Sequence, residues 1–90
     1  MGELLQEWKG FRPGQRVIVL VEAIGADHED IEHTTPPGTP GLIDHIERYG
    51  MNQGVGVTVW IPVNGEKDRG IVNVFDEADG DIFNFIKEAS

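Results

Sequence analysis

Apolar residues recur at every second position near the middle of the chain. Val55, Val57, Val59, Ile61 and Val63 alternate with Gly56, Thr58, Trp60 and Pro62. Alternate side chains of a β-strand point to one face, so residues 54–63 predict a central strand with one branched, buried face. The other face is mixed, is expected to be partly wet, and carries Trp60 as its one large apolar object. Pro62 brings no N–H to a ladder, which places that end at an edge or facing away from a partner.

The flanking segments read more weakly. Residues 2–9 put Leu4, Leu5 and Trp8 on one side of a short helix. Two turns need docking to persist, so residues 1–10 are expected as an N-terminal helical lid, with Trp8 packing under Trp60. Phe11-Arg12-Pro13-Gly14 reads as a type II turn, with Pro at i+1 and Gly at i+2. Residues 15–23 are apolar almost throughout and predict a strand covered on both faces. Residues 24–40, charged and closed by Pro36-Pro37-Gly38, predict a long irregular loop anchored by Ile31.

Residues 41–49 predict a second strand, although Leu42, Ile46 and Tyr49 also fit helical spacing. Read as a strand, it puts Leu42 and Ile46 on one face and Ile43, His45 and Glu47 on the other. Residues 50–54 make a hairpin loop, and Asn64-Gly65 marks a second hairpin tip. Residues 70–75 alternate again, with Ile71, Asn73 and Phe75 opposite Val72 and Val74. An acidic turn over 76–81 leads to Ile82, Phe83, Phe85 and Ile86, a last strand or one helical turn.

About five short strands in a single domain point to an all-β fold closed into a small antiparallel barrel, since closure removes exposed edges. The run PGQRVIV, a long loop, PPGTPGLIDHI, VGVTVWI and IVNVF resembles small SH3-like barrel domains of unknown function of bacterial and phage type. Those domains open on a G-x-R-V strand and continue with a P-G-T-x-G-x-[IV] turn and strand. The resemblance covers residues 13–86 and implies the barrel. The chain departs from it at IPVNGEKDRG, and no catalytic residue carries over.

Composition narrows the functions. With 7 basic against 16 acidic residues in 90, the net charge is −9. Phosphate repels such a surface, so neither nucleic acid nor an anionic membrane is expected as a partner. Cysteine is absent, which removes disulfides and thiolate metal sites and suits a cytoplasmic setting. No long apolar run is present, so neither a signal peptide nor a transmembrane helix is expected. The sole serine is Ser90. Together with the absence of cysteine and of phosphate-loop glycine motifs, this argues against covalent catalysis and enzyme activity.

Two regions carry candidate chemistry. All three histidines lie between residues 26 and 47, among six carboxylates and no Lys or Arg. Imidazole and carboxylate together bind divalent metals, which makes Asp27, His28, Glu29, Asp30, Glu32 and His33, with His45, the candidate set, and His28, Asp30 and His33 the ligands expected first. The same carboxylates favour the charged imidazole, so the stretch is also a candidate pH sensor. The DEADGD run is not an EF-hand, because Phe75 and Ile86 fall at its first and last ligand positions. The second region is aromatic: Trp60 and Thr58 on the mixed face, with Tyr49, form a candidate partner-binding surface. The leading expectation is therefore a non-catalytic, acidic interaction module without a cofactor. It would bind a protein partner or itself through the 24–40 loop and the Trp60 face. The alternatives are a metal- or small-ligand-binding protein using His28 and His33, and an acidic mimic of DNA.

Overall fold

A computed structural model describes residues 2–51, 53–63, 65 and 68–89. The chain is all-β and antiparallel. Its strands are β1 (Glu3–Leu4), β2 (Arg16–Val19), β3 (Ala23–Ala26), β4 (Glu32–Thr35), β5 (Thr39–Arg48), β6 (Val55–Pro62), β7 (Gly70–Asp76) and β8 (Ile86–Glu88). The main sheet runs β7-β6-β5-β2-β8, and β1 pairs with the far end of β5; β3 and β4 form a separate hairpin. Two single-turn 3-10 helices, Glu77–Asp79 and Ile82–Asn84, precede β8. Among the described residues no helix is long and apolar enough to cross a membrane.

The alternation in β6 sets the core. Val55, Val57, Val59, Ile61 and Val63 are all buried, together with Val17 and Val19 of β2, Ile43 and Ile46 of β5, and Ile71 and Phe75 of β7. Ile82 and Ile86 close the core from the C-terminal segment, as the expected helical turn and strand. Phe85 stacks on Phe75, with centroids 5.6 Å apart.

The uneven pattern of β5 has a simple cause. Ile43 pairs with Val59 and His45 with Thr58, so the ladder slips by one residue at Asp44. Such a bulge places two residues opposite one. Ile43 and Ile46 therefore both point inward, while Leu42, His45 and Glu47 share the outer face with Trp60, Thr58 and Gly56. The strand expectation holds, but the grouping of Leu42 with Ile46 is corrected.

Two other expectations change. The N-terminus is not a helix. Glu3 and Leu4 pair with Arg48 and Glu47, and the Leu5 N–H donates to the Ile46 carbonyl at 2.8 Å. β5 outruns β2, so its end offers an open row of backbone groups, and extended chain satisfies them where a two-turn helix would not. Lys9 and Gly10, both at positive φ, then turn the chain between Trp8 and Phe11, whose N–H and carbonyl groups bond reciprocally. Leu4 faces solvent, and Leu5 and Trp8 pack at the core's edge.

The second change is in residues 24–40, which are not an irregular loop: Ala23–Ala26 and Glu32–Thr35 pair in register. Ile31 is exposed and anchors nothing.

The type II turn forms as read. Gly14 has φ +83 and the Gln15 N–H donates to the Arg12 carbonyl. Asn64 of the expected Asn64-Gly65 tip lies outside the described residues.

Removing core contacts and removing outer-face contacts should differ sharply. Ile61→Ala should cost about 2–5 kcal/mol of unfolding free energy. Val72→Ala, at a paired but exposed position, should cost less than about 1 kcal/mol. Urea unfolding of both variants checks this, and equal losses would reverse the assignment of the two faces.

Candidate functional site

Three polar clusters and two grooves lie outside the core. The first cluster centres on Asp27, at the start of the β3–β4 turn. Aspartate suits this place because its side chain bonds the backbone ahead of it. Its Oδ1 accepts from the Glu29 N–H at 2.8 Å and the Ile31 N–H at 3.1 Å. Asp30 takes the left-handed conformation, φ +61, that completes the turn. The Oδ2 of Asp27 meets His33 Nε2 at 2.6 Å and accepts from Arg69 Nη1 at 2.7 Å. Arg69 also bonds Glu29.

The Asp27 side chain is wholly buried. Burial alone pushes such a carboxyl up, but the bonds from His33, Arg69 and the two backbone N–H groups outweigh it. They hold the group well below the usual carboxylate range. Asp27 and Glu29 together keep the Arg69 guanidinium charged, despite the opposing effect of burial.

This geometry disperses the expected metal ligands. His33 is engaged by Asp27, His28 is exposed with Nε2 4.0 Å from Glu29, and Asp30 shapes the turn. Among the described residues no three His, Asp or Glu side chains converge as a metal site would require.

The second cluster lies on the outer face. His45 contacts Asp44 through Nδ1 at 2.7 Å and Thr58 Oγ1 through Nε2 at 3.2 Å. A carboxylate, imidazole and hydroxyl in line have the order of a nucleophilic triad. Thr58 is only 7% exposed, however, and neither groove described below is lined by Thr58 or His45. The line thus fixes the bulged strand to β6. It also removes Thr58 as a free partner-binding group.

The third cluster pairs Tyr49 with Asp76. The hydroxyl donates to Asp76 Oδ1 at 2.7 Å, and it lies where a Cβ on Gly56 would stand. This hydrogen bond, with partial burial behind it, pushes the phenol up to about 12.

Tyr49 and Trp60 occupy different grooves. Tyr49 lines one of about 670 Å³ with Trp8, Arg48, Met51 and Glu77, where Lys9 sits over the Trp8 ring. Trp8 therefore does not underlie Trp60. The indole of Trp60 instead lies over Gly70, which leaves it room only because it has no side chain. Its groove, about 620 Å³, is walled by Arg16 and Ile18 on one side and Trp60 and Pro62 on the other, with Pro40 and Leu42 between. Val72 and Val74 continue the outer face beyond Trp60, 55% and 48% exposed.

Comparison of the chain with protein-family models, with curated proteins and with solved structures gave no match.

Sequence reading places Asp27 in the acidic histidine stretch but misses Arg69, its partner 42 residues away. Only the turn propensity of Asp27 was a usable signal.

Two titrations test the buried polar groups. The folded-state value of Asp27 is depressed, so its contribution to stability is present above the unfolded value of 3.8 and is lost as pH falls through the folded value. Thermal melting should fall through this acid range more steeply for the native chain than for Asp27→Asn, which should also melt lower at neutral pH. Tyr49 is the only tyrosine, so phenolate absorbance reports it alone. Its midpoint should lie near 12 and move toward the ordinary 10.0 in Asp76→Asn. Because this value is raised, the Tyr49 contribution is complete below 10.0 and is lost as pH rises through 12.

Proposed function

We propose that the chain is a non-catalytic protein-interaction module that docks through the outer face of its main sheet, centred on Trp60. The observation that carries this reading is the apolar stripe across that face. Leu42, Trp60 and Val72 pair in one row across three strands, Val74 lies one row on, and the stripe opens into the groove beside Pro62. An exposed, contiguous apolar patch rimmed by polar residues is the usual mark of a binding surface, and tryptophan is enriched where binding energy concentrates.

The fixed β3–β4 hairpin and the buried Thr58 are left out of this surface, and Tyr49 lies at its Asp76 corner. An SH3-like barrel and a cytoplasmic setting belong to the same proposal. The first rests on the strand order and the resemblance in residues 13–86, the second on the cysteine-free composition.

The test uses the chain labelled with nitrogen-15. A protein captured from source lysate, then purified, should shift the amide signals of Leu42, Trp60 and Val72 and leave those of Trp8 and Met51 in place. Leu42→Glu, with an unchanged melting temperature, should bind at least about tenfold more weakly. Shifts confined to the Tyr49 groove would remove the Trp60 face from the reading.

A further inference from the structure

The partner for this face can be narrowed by charge. Directly paired residues of neighbouring strands project to the same side, so the registers map the outer face. At one corner Arg16 pairs with Leu42, and Lys87 stands opposite Ile18 on the edge strand. At the diagonally opposite corner Glu47 and Asp76 flank Gly56. The apolar row of Leu42, Trp60 and Val72, with Val74, lies between. Among the described residues Arg16 and Lys87 form no ion pair. Tyr49 uses one oxygen of Asp76, which leaves a carboxylate able to accept more.

From this arrangement we infer that the Trp60 face is a two-fold interface between two copies of this chain. The inference rests on the reading of that face as the docking surface. An isologous interface needs one surface that complements itself. Here the two signs lie at opposite corners, and between them run the apolar row and the Asp44-His45-Thr58 line, whose hydrogen bonds are made within the chain. When two such faces meet with their strands crossing, as orthogonally packed sheets do, the Arg16 corner of each copy covers the Asp76 corner of the other. Trp60 of each then meets Val72 and Val74 of the other.

A basic partner would be served by acidic surface alone and has no use for Arg16 and Lys87. A standard interface of about 800 Å² per copy would cover about a seventh of the 5746 Å² surface. The net charge of −9 on each copy opposes approach at long range. At physiological salt that repulsion is screened beyond about 8 Å, while the contact pairs are retained.

The test is sedimentation equilibrium at physiological salt, together with charge exchange. The native chain should show twice the monomer mass. Arg16→Glu and Asp76→Lys each create like-charge contacts, so each alone should self-associate at least about tenfold more weakly. An equimolar mixture of the two variants restores both opposite-charge contacts and should return to the dimer mass. Melting curves confirm that both variants are folded. Glu47→Lys, at the same corner, replaces Asp76→Lys if loss of the Tyr49 bond unfolds it.

A native chain that stays monomeric to about millimolar concentration overturns the self-pairing, as does a mixture that stays monomeric. In those cases amide shifts at Leu42 and Trp60 with a captured protein would keep the face as a docking surface for another partner. A dimer indifferent to both variants, with those amide signals unmoved by dilution, overturns the self-pairing and the face together.

Discussion

Everything in this fold answers to one requirement: the branched side of β6 must be kept from water. Four residues of that strand, and Val63 just beyond it, are all buried and need cover along their whole length. β5 and β7 flank them in the sheet, and β2 and the C-terminal turn contribute the side chains that lie across them. The hydrophobic gain on burying a Val or Ile side chain, about 1.5–3 kcal/mol each, is large against the stability of a domain this small. Register is therefore tightly specified, because a slip by one residue would turn the whole set outward. The bulge at Asp44 shows how strict the requirement is. β5 gives up regular pairing at one residue so that Ile43 and Ile46 both reach the interior.

Asp27 does for the hairpin what the valines do for the sheet. β3 and β4 supply few large apolar side chains, and Ile24 and Ile31 are exposed. What holds the segment is a buried carboxylate that receives two backbone N–H groups, an imidazole and a guanidinium. A buried charge is tolerable when its bonding capacity is filled. Arg69 reaches it from beside β7, so the hairpin is fastened to the main sheet by charge as well as by packing.

These two devices explain which parts of the chain could be read in advance. The β6 alternation, the Arg12–Gln15 turn, the β5–β6 hairpin and the inward Ile71 and Phe75 follow from local rules of side-chain period and turn geometry. The bulge, the N-terminal strand and the Asp27 network do not. Each depends on a partner distant in sequence. Leu4 reads as one side of a helix until the free end of β5 is known. Residues 24–40 read as loop because their pairing is stabilised by Arg69. The candidate surface was legible in part. Trp60 stands out on the mixed strand face, but its separation from Tyr49 is set by the register of a bulged strand pair.

The outer face is also shaped by what β6 and β7 leave out. Gly70 and Gly56 have no side chains, and an aromatic group lies over each: Trp60 on the first, Tyr49 on the second. Each glycine leaves room for the approach: the Tyr49 hydroxyl at Gly56 and one edge of the Trp60 indole at Gly70. The Asp44-His45-Thr58 line fixes the strand between the two rings, because both ring nitrogens of His45 are engaged. A face with immobile aromatic groups loses little conformational entropy when it is covered. The pairing that buries one side of β6 thus also sets where Trp60 stands on the other side, over Gly70 and beside Leu42 and Val72.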